Sequence, residues 1–166
     1  MSELDDKWSE MLEQATARAR TDGRAHVADY LHLKSVNDAI RVAGVRWLVD
    51  SLIQIASALD GIAIERVEPH SFKHDGTNVV GTMLKIRQGV RCLTVEAGWP
   101  RTPGDGFMRR GALAVARVVH FGMPRNNAEL SLVRAENGIV WVFRDQSGDV
   151  SPFDGDQLQS HFNIFL

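Results

Sequence analysis

The chain has 166 residues and a mass of 18.4 kDa, with 44% hydrophobic and 24% charged residues. A chain of this length buries about 70% of the surface that it exposes when unfolded, which suffices for one substantial core. The composition excludes a disordered chain, a collagen-like chain and a coiled-coil rod. The net charge of −2 lacks the basic excess typical of duplex-binding domains, which argues against nucleic acid as a partner.

Nothing in the sequence predicts a membrane span, because no run of 18 apolar residues is present. The first 20 residues contain five acidic side chains, so they do not resemble a secretory signal. The single cysteine, Cys92, cannot form an internal disulfide and fits a reducing compartment. We therefore expect a soluble protein of the cytoplasm.

Residues 3–20 are predicted to form an amphipathic helix, and Ser2 and Asp5 have the spacing of a capping box at its start. One face is apolar and consists of Leu4, Trp8, Met11, Leu12, Ala15 and Ala19. Because this stripe has to pack against something, it contacts either its own domain or a second chain. We expect a protein partner or a second copy of the chain to contact Trp8 and Met11.

Residues 24–34 fit either a short strand or an ordered crossing, and a second helix is predicted from Ser35 to about Asp60. The boundary of the main domain is therefore placed after residue 34, giving an arm (1–34) and a single domain (35–166). Within 45–59 the apolar side chains share one helical face, which we expect to lie across a sheet. Trp47 lies on the opposite side and is predicted to contact a partner.

After Gly61 the pattern becomes extended. Strands are predicted at 62–72, 79–87 and 90–97, and a hairpin is predicted at 129–136 and 139–145 around Asn137-Gly138. The face with Val133, Ala135, Val140 and Val142 is assigned to the core. Its register places Arg134 opposite Trp141 and Leu132 opposite Phe143 on the outer face.

Residues 107–121 could be helix or strand, and helical periodicity is favoured because Arg117 interrupts the alternation expected of a strand. A last helix is predicted to begin at a Ser151 cap, with Leu158, Phe162 and Phe165 at helical spacing. The predicted fold is α+β: an antiparallel sheet of about five strands packed by helices, with an N-terminal helical arm. From residue 35 the element order is similar to that of secretion-chaperone-like folds, and this resemblance implies an architecture but no function.

The segment from Gly98 to Gly111 is rich in glycine and arginine, and Asp105 is its only acid. Glycines let backbone amides approach an anion, and guanidinium groups supply paired donors. Arg101, Arg109 and Arg110 are therefore the predicted anion ligands. Glycine spacing resembles a P-loop, but Ala112-Leu113 replaces the Lys-Ser/Thr that would hold phosphate and magnesium.

Candidate chemistry beside this loop is limited. Glu96 lies near a strand end and could act as a base, with His120 as its partner if the chain brings the two together. His70 and His74 have a spacing that would suit zinc only on one helix face, and here they cross a predicted turn. The sequence thus predicts no catalytic set, no metal and no cofactor.

The leading hypothesis is a non-catalytic interaction or adaptor protein, which docks a partner through the apolar helical face and the arginine-bearing loop. Trp99, next to that loop, is expected to reach the surface and join Trp8, Met11 and Trp47 in partner contacts. The alternative is a small enzyme or ligand-binding protein for a phosphate or carboxylate metabolite. In that case Glu96 and His120 would join the three arginines in one pocket.

Overall fold

The computed structural model describes residues 3–166, so the predicted cap at Ser2 lies outside the described residues. The chain divides into two compact units, the first ending at Ala43 and the second comprising Gly44–Leu166. The helices are α1 (Glu3–Thr21), α2 (Ala25–Ser57) and α3 (Gly155–Phe165). None of the helices in this described part of the chain is both long and apolar enough to cross a membrane.

Helix α2 begins ten residues earlier than Ser35, where the sequence predicted its cap. Residues 25–34 are therefore helical, and neither the strand nor the crossing predicted there is present. No proline or glycine lies between Ala25 and Ala43, so the helix has no local reason to end. The predicted boundary after residue 34 lies inside α2, whereas the two units meet after Ala43.

The first unit is a helical hairpin of α1 and the N-terminal part of α2. The turn between the two helices contains Gly23, whose φ is 73°. Its packing residues include Leu12, Ala19 and Ala28, all of which are buried. A buried carboxylate joins the helices: Asp38 accepts a 2.9 Å hydrogen bond from Trp8 Nε1 and a 2.6 Å bond from Arg41. The predicted amphipathic helix at the N-terminus is thus confirmed.

The second unit contains one antiparallel sheet in which seven strands follow chain order. The α+β class is confirmed, and the strand number is seven where about five were predicted. The strands are β1 (Ala63–His74), β2 (Thr77–Gln88), β3 (Arg91–Trp99), β4 (Ala114–His120), β5 (Ala128–Ala135), β6 (Gly138–Arg144) and β7 (Val150–Pro152).

One face of this sheet, called here the helix face, forms the core of the second unit. Its strand residues are almost fully buried, including Leu84, Ile86, Leu93, Val95, Leu130 and Leu132. The C-terminal part of α2 covers it, because Trp141 Nε1 donates a 3.0 Å hydrogen bond to the Gly44 carbonyl. A Cβ at Gly44 would lie 2.5 Å from a methyl of Leu132, so a larger residue at this position would force the Leu132 side chain to shift. Val45, Leu48, Val49 and Leu52 are buried, which confirms the predicted packing of residues 45–59.

Helix α3 also packs on the helix face, with Leu158, Phe162 and Phe165 buried as predicted. Its cap is Asp154, whose Oδ1 accepts hydrogen bonds from the amides of Asp156 and Gln157. The prediction of a Ser151 cap is wrong, because Ser151 pairs with Phe143 as part of β7.

The predicted helix at 107–121 is wrong: residues 109–111 form a single 3-10 turn and Ala114–His120 is strand β4. Ala114, Val115 and Ala116 are buried in succession, although they point to alternate faces of the strand, so the apolar residues form a continuous run rather than an alternating pattern. Arg117, which interrupts that run, pairs with Glu96 on β3 and Glu129 on β5. The element order that resembled secretion-chaperone-like folds included this helix and is not observed.

The β5–β6 hairpin exists, but its predicted register is wrong by two residues. Ala135 pairs with Gly138 and Leu132 with Trp141, so Glu136 and Asn137 form the turn. The assignment of faces is also reversed, since Leu132 and Trp141 are buried whereas Ala135 is exposed. The large side chains fill the space under the helices, and the small ones line the other face.

Candidate functional site

The sheet face opposite the helices, called here the open face, carries a cleft of about 500 Å³. Its floor is apolar and comes from three neighbouring strands, through Val115, Val133 and Val142. The loop between β3 and β4 forms one wall, through Phe107, Met108, Arg109 and Arg110. Polar side chains complete the rim, namely His74, Asp75, Thr77, Glu129, Ser131 and Arg144. This volume lies in the range of pockets that hold small organic ligands.

The β3–β4 loop is held in place by contacts of its own. Asp105 accepts hydrogen bonds from the amide and the hydroxyl of Thr102, at 3.1 and 2.9 Å. The Thr77 hydroxyl donates to the Phe107 carbonyl, which ties the loop to the β1–β2 turn. Gly106, with φ of 109°, passes so close to Thr77 that a Cβ would lie 3.0 Å from its hydroxyl oxygen. The only acid of the loop is thus occupied within the loop.

Arg109 and Arg110 lie exposed at the cleft. Within the described part of the chain, neither guanidinium has an ion-pair or hydrogen-bond partner. Arg110 has φ of 57°, in the left-handed region that residues other than glycine rarely adopt. The third cleft arginine, Arg144, donates to the Gly148 carbonyl at the far side. The guanidinium groups of Arg109 and Arg110 are therefore available to bind an anion.

Arg101 has a different role from the other two predicted anion ligands. Its guanidinium carbon lies 3.7 Å from the ring centre of Trp99, and its Nη2 donates to the Val80 carbonyl at 3.2 Å. Arg101 does not line the cleft. Trp99 is only 3% exposed beneath it, so the expectation that Trp99 reaches the surface is wrong. This stack anchors the base of the loop.

Glu96 and His120 are not brought together. Glu96 lies on the open face, where its Oε1 is 2.7 Å from His70 Nε2 and its Oε2 is 3.9 Å from Arg117 Nε. His120 follows Arg117 by three residues and so points to the helix face, because side chains alternate along a strand. Neither residue lines the cleft. The convergence on one pocket that the enzyme hypothesis required is absent.

His120 instead forms a buried pair with His161 on α3. Its Nε2 lies 2.8 Å from His161 Nδ1, and the rings stack at 5.1 Å between centres. Burial lowers the pKa of His120, and burial together with the nearby His120 lowers the pKa of His161 to about 4. Both rings are therefore neutral at neutral pH, and the pair joins α3 to the sheet.

The predicted partner-contact residues are spread over both units. In the first unit Trp8 is half-buried on Asp38, with the Lys34 ammonium 5.4 Å from its ring centre, and Met11 is 61% exposed. In the second unit Trp47 is 41% exposed. Trp47 and Met11 therefore remain accessible, whereas Trp8 is mainly occupied inside its own unit.

Sequence reasoning missed the polar group of His70, Glu96 and Arg117 on the open face. Arg117 Nη2 donates to the Lys73 carbonyl at 2.8 Å, so the group connects β1, β3 and β4. The interruption of the apolar run by Arg117 is the indication that the sequence offers, because a charged residue within a buried strand needs a polar partner. No cluster of three or more potential ligands suited to a metal ion occurs among residues 3–166.

Comparison of the chain with known protein families, with curated proteins and with solved structures finds no significant match.

Proposed function

We propose that this protein is a non-catalytic binding protein, whose open-face cleft takes up an anionic ligand with an apolar body. The observation that carries the proposal is a pair of guanidinium groups beside an apolar floor, those of Arg109 and Arg110, which have no partner among residues 3–166. Forked donors bind carboxylates and phosphates with two parallel hydrogen bonds, which a single ammonium does not offer. In this proposal the two guanidinium groups orient the ligand, and contact with the apolar floor contributes most of the binding affinity.

The ligand chemistry follows from the two parts of the cleft. Val115, Val133 and Val142 offer no hydrogen-bond donors, so the portion of the ligand that covers them is apolar. Phe107 is 77% exposed at the rim and can cover such a body from the loop side. A carboxylate or phosphate then lies next to Arg109 and Arg110. An acidic segment of a protein partner and a free amphiphilic anion both present this chemistry.

The enzyme hypothesis is not favoured by any contact in the cleft. Glu96 is occupied by His70 on the open face, and His120 lies on the helix face. A base and an acid that share one substrate have to lie within hydrogen-bond reach of it. Binding is the function that the cleft supports best, and in the docking hypothesis the β3–β4 loop is the recognition element.

The test is a titration with 8-anilinonaphthalene-1-sulfonate, which combines an aromatic body with a sulfonate and fluoresces when it leaves water. We expect saturable binding to one site, weakened at least about tenfold by the double variant Arg109→Ala/Arg110→Ala, because two charge-assisted contacts are lost. The control is Arg46→Ala/Arg125→Ala, which removes the same charge from exposed positions outside the cleft. Equal weakening in both variants would contradict the proposal.

Competition then identifies the source of the anion. Dodecanoate and a short peptide of alternating glutamate and phenylalanine each displace the dye if they fit the cleft. A dodecyltrimethylammonium cation has the same tail with the opposite charge and should displace it poorly, because Arg109 and Arg110 repel it. Stronger displacement by the peptide indicates a protein partner, and stronger displacement by dodecanoate indicates a small amphiphile. Equal displacement by the cation would overturn the anionic assignment.

A further inference from the structure

In the first unit, helix α2 carries an apolar stripe that consists of Leu33, Val36, Ile40 and Ala43. The spacing of three, four and three residues is that of the a and d positions of a coiled coil. Leu33 is 56% exposed and Val36 40% exposed, Ala43 is exposed and Ile40 is half-buried. These four residues, called here the α2 seam, lack the cover that such positions have in helical bundles.

The seam lies on the side of α2 turned away from α1. Asp38, which binds Trp8 of α1, is about 180° around the helix from the centre of the seam at 3.6 residues per turn. Helix α1 therefore covers one side of α2 and leaves the other open. An apolar stripe that is left open within its own unit is normally covered by another element.

We propose that a second copy of this chain covers the α2 seam, through antiparallel pairing of the two α2 helices. The inference is independent of the proposed ligand cleft, which belongs wholly to the second unit. Antiparallel pairing about position 38 places Leu33 opposite the Ala43 position of the other copy, and Val36 opposite the Ile40 position. Every layer then joins a larger and a smaller side chain.

Parallel pairing would give uneven layers, because two Leu33 side chains would meet at one end and two Ala43 side chains at the other. The small Ala43 layer would leave a gap, and gaps lose the contacts that hold an interface together. Self-complementarity of the antiparallel layers is the property that an isologous contact between identical chains needs. It points to a second copy in preference to an unrelated helix.

The residues that flank the seam also permit self-pairing. Asn37 and Ala39, which flank the centre of the seam, have uncharged side chains, so two copies meet there without like-charge repulsion. The contact is short compared with stable interfaces, which bury about 1,200–2,000 Å². We therefore expect an association that depends on concentration.

Sedimentation equilibrium on the full chain tests the association. The average mass should rise from 18.4 kDa towards twice that value as concentration rises from about 1 µM to about 500 µM, the range expected of a short interface. Val36→Lys and Ile40→Glu should each shift the transition at least about tenfold to higher concentration, because each buries a charge. Ala17→Lys, at an exposed position of α1, should leave it unchanged. A chain that stays monomeric throughout, or a dimer unaffected by either seam variant, would overturn the proposal.

Mixing the two seam variants tests the orientation. At a concentration where Val36→Lys and Ile40→Glu are each monomeric alone, an equimolar mixture should form a dimer, because antiparallel pairing sets the new ammonium opposite the new carboxylate. Parallel pairing would leave each new charge opposite the parent side chain and give no rescue. A mixture that remains monomeric, with both variants folded by circular dichroism, would contradict the antiparallel pairing.

Discussion

Leu132 and Val133 are consecutive residues of β5 that point to opposite faces of the same sheet. Leu132 is 1% exposed, under Gly44 and the C-terminal part of α2, whereas Val133 is half-buried in the floor of the cleft. The helix face is closed by two helices and consists of large apolar side chains. The open face is covered only in part, by the β3–β4 loop, and carries charged groups beside small apolar ones.

The two faces of the same sheet therefore have different roles: the helix face stabilises the second unit, and the open face is the proposed recognition surface. The helix face buries enough apolar surface to hold the second unit together, so substitutions there act on folding. The open face contributes less burial and keeps two guanidinium groups without partners in the described chain. Substitutions on the open face should therefore change binding while leaving stability nearly intact.

The largest expected effect comes from truncating these two neighbours. Leu132→Ala should lower the free energy of unfolding by about 3 kcal/mol, because it removes buried methyl groups and leaves a cavity under Gly44. Val133→Ala should lower it by about 1 kcal/mol or less, since that side chain is already half-open to solvent. Urea unfolding of both variants measures the two losses of unfolding free energy. Equal losses would show that the two faces do not differ as described.

The second effect is a pH dependence that belongs to the helix face. The pKa of His161, lowered by burial and by the nearby His120, is about 4, against 6.5 when unfolded. As pH falls from 6.5 towards 4, the unfolded chain binds protons that the folded chain does not, so the unfolding free energy decreases. Partial solvent access limits the loss to about 1–2 kcal/mol.

His161→Gln should reduce this pH dependence, whereas His26→Gln, at an exposed position of α2, should not change it. Unfolding curves at pH 7, 5.5 and 4.5 make the comparison. An unchanged slope in His161→Gln would mean that other groups carry the acid sensitivity.

A smaller contrast separates the arginines of the loop. Arg101→Ala should cost about 1 kcal/mol, because it loses the stack on Trp99 and a hydrogen bond to the Val80 carbonyl. Arg109→Ala should change the unfolding free energy by less than about 0.5 kcal/mol, since its guanidinium has no partner in the described chain. Thermal unfolding of the two variants measures this difference in stability. A larger loss in Arg109→Ala would place that residue in the structural part of the loop.

Periodicity was informative wherever an element has one buried face. It predicted α1, the packing of residues 45–59, the strands after Gly61 and the burial of Leu158, Phe162 and Phe165. It failed at β4, because Ala114, Val115 and Ala116 are buried in succession and so do not alternate. The β-branched residues of this segment indicate a strand, but its helical spacing favoured a helix. The hairpin register failed because Asn137-Gly138 indicates a turn but leaves open which two residues form it.

The site was less predictable than the fold. The loop and its arginines were identified from composition, but composition could not distinguish Arg101, which anchors the loop, from the exposed pair Arg109 and Arg110. Glu96 and His120 point to opposite faces because side chains alternate along a strand. The predicted helix at residues 107–121 did not include this alternation. The valine floor was assigned to the core because its side chains are small and apolar, and only packing shows which face the helices cover.

The most direct measurement of the central claim is an amide chemical-shift map of the protein titrated with dodecanoate. The account predicts that the largest shifts occur in residues 106–112 and at Val115, Val133 and Val142, which surround the cleft. Amides of α3 on the helix face should move little. Shifts concentrated on α3, or no saturable shifts at any residue, would contradict the claim that the open face is the recognition surface.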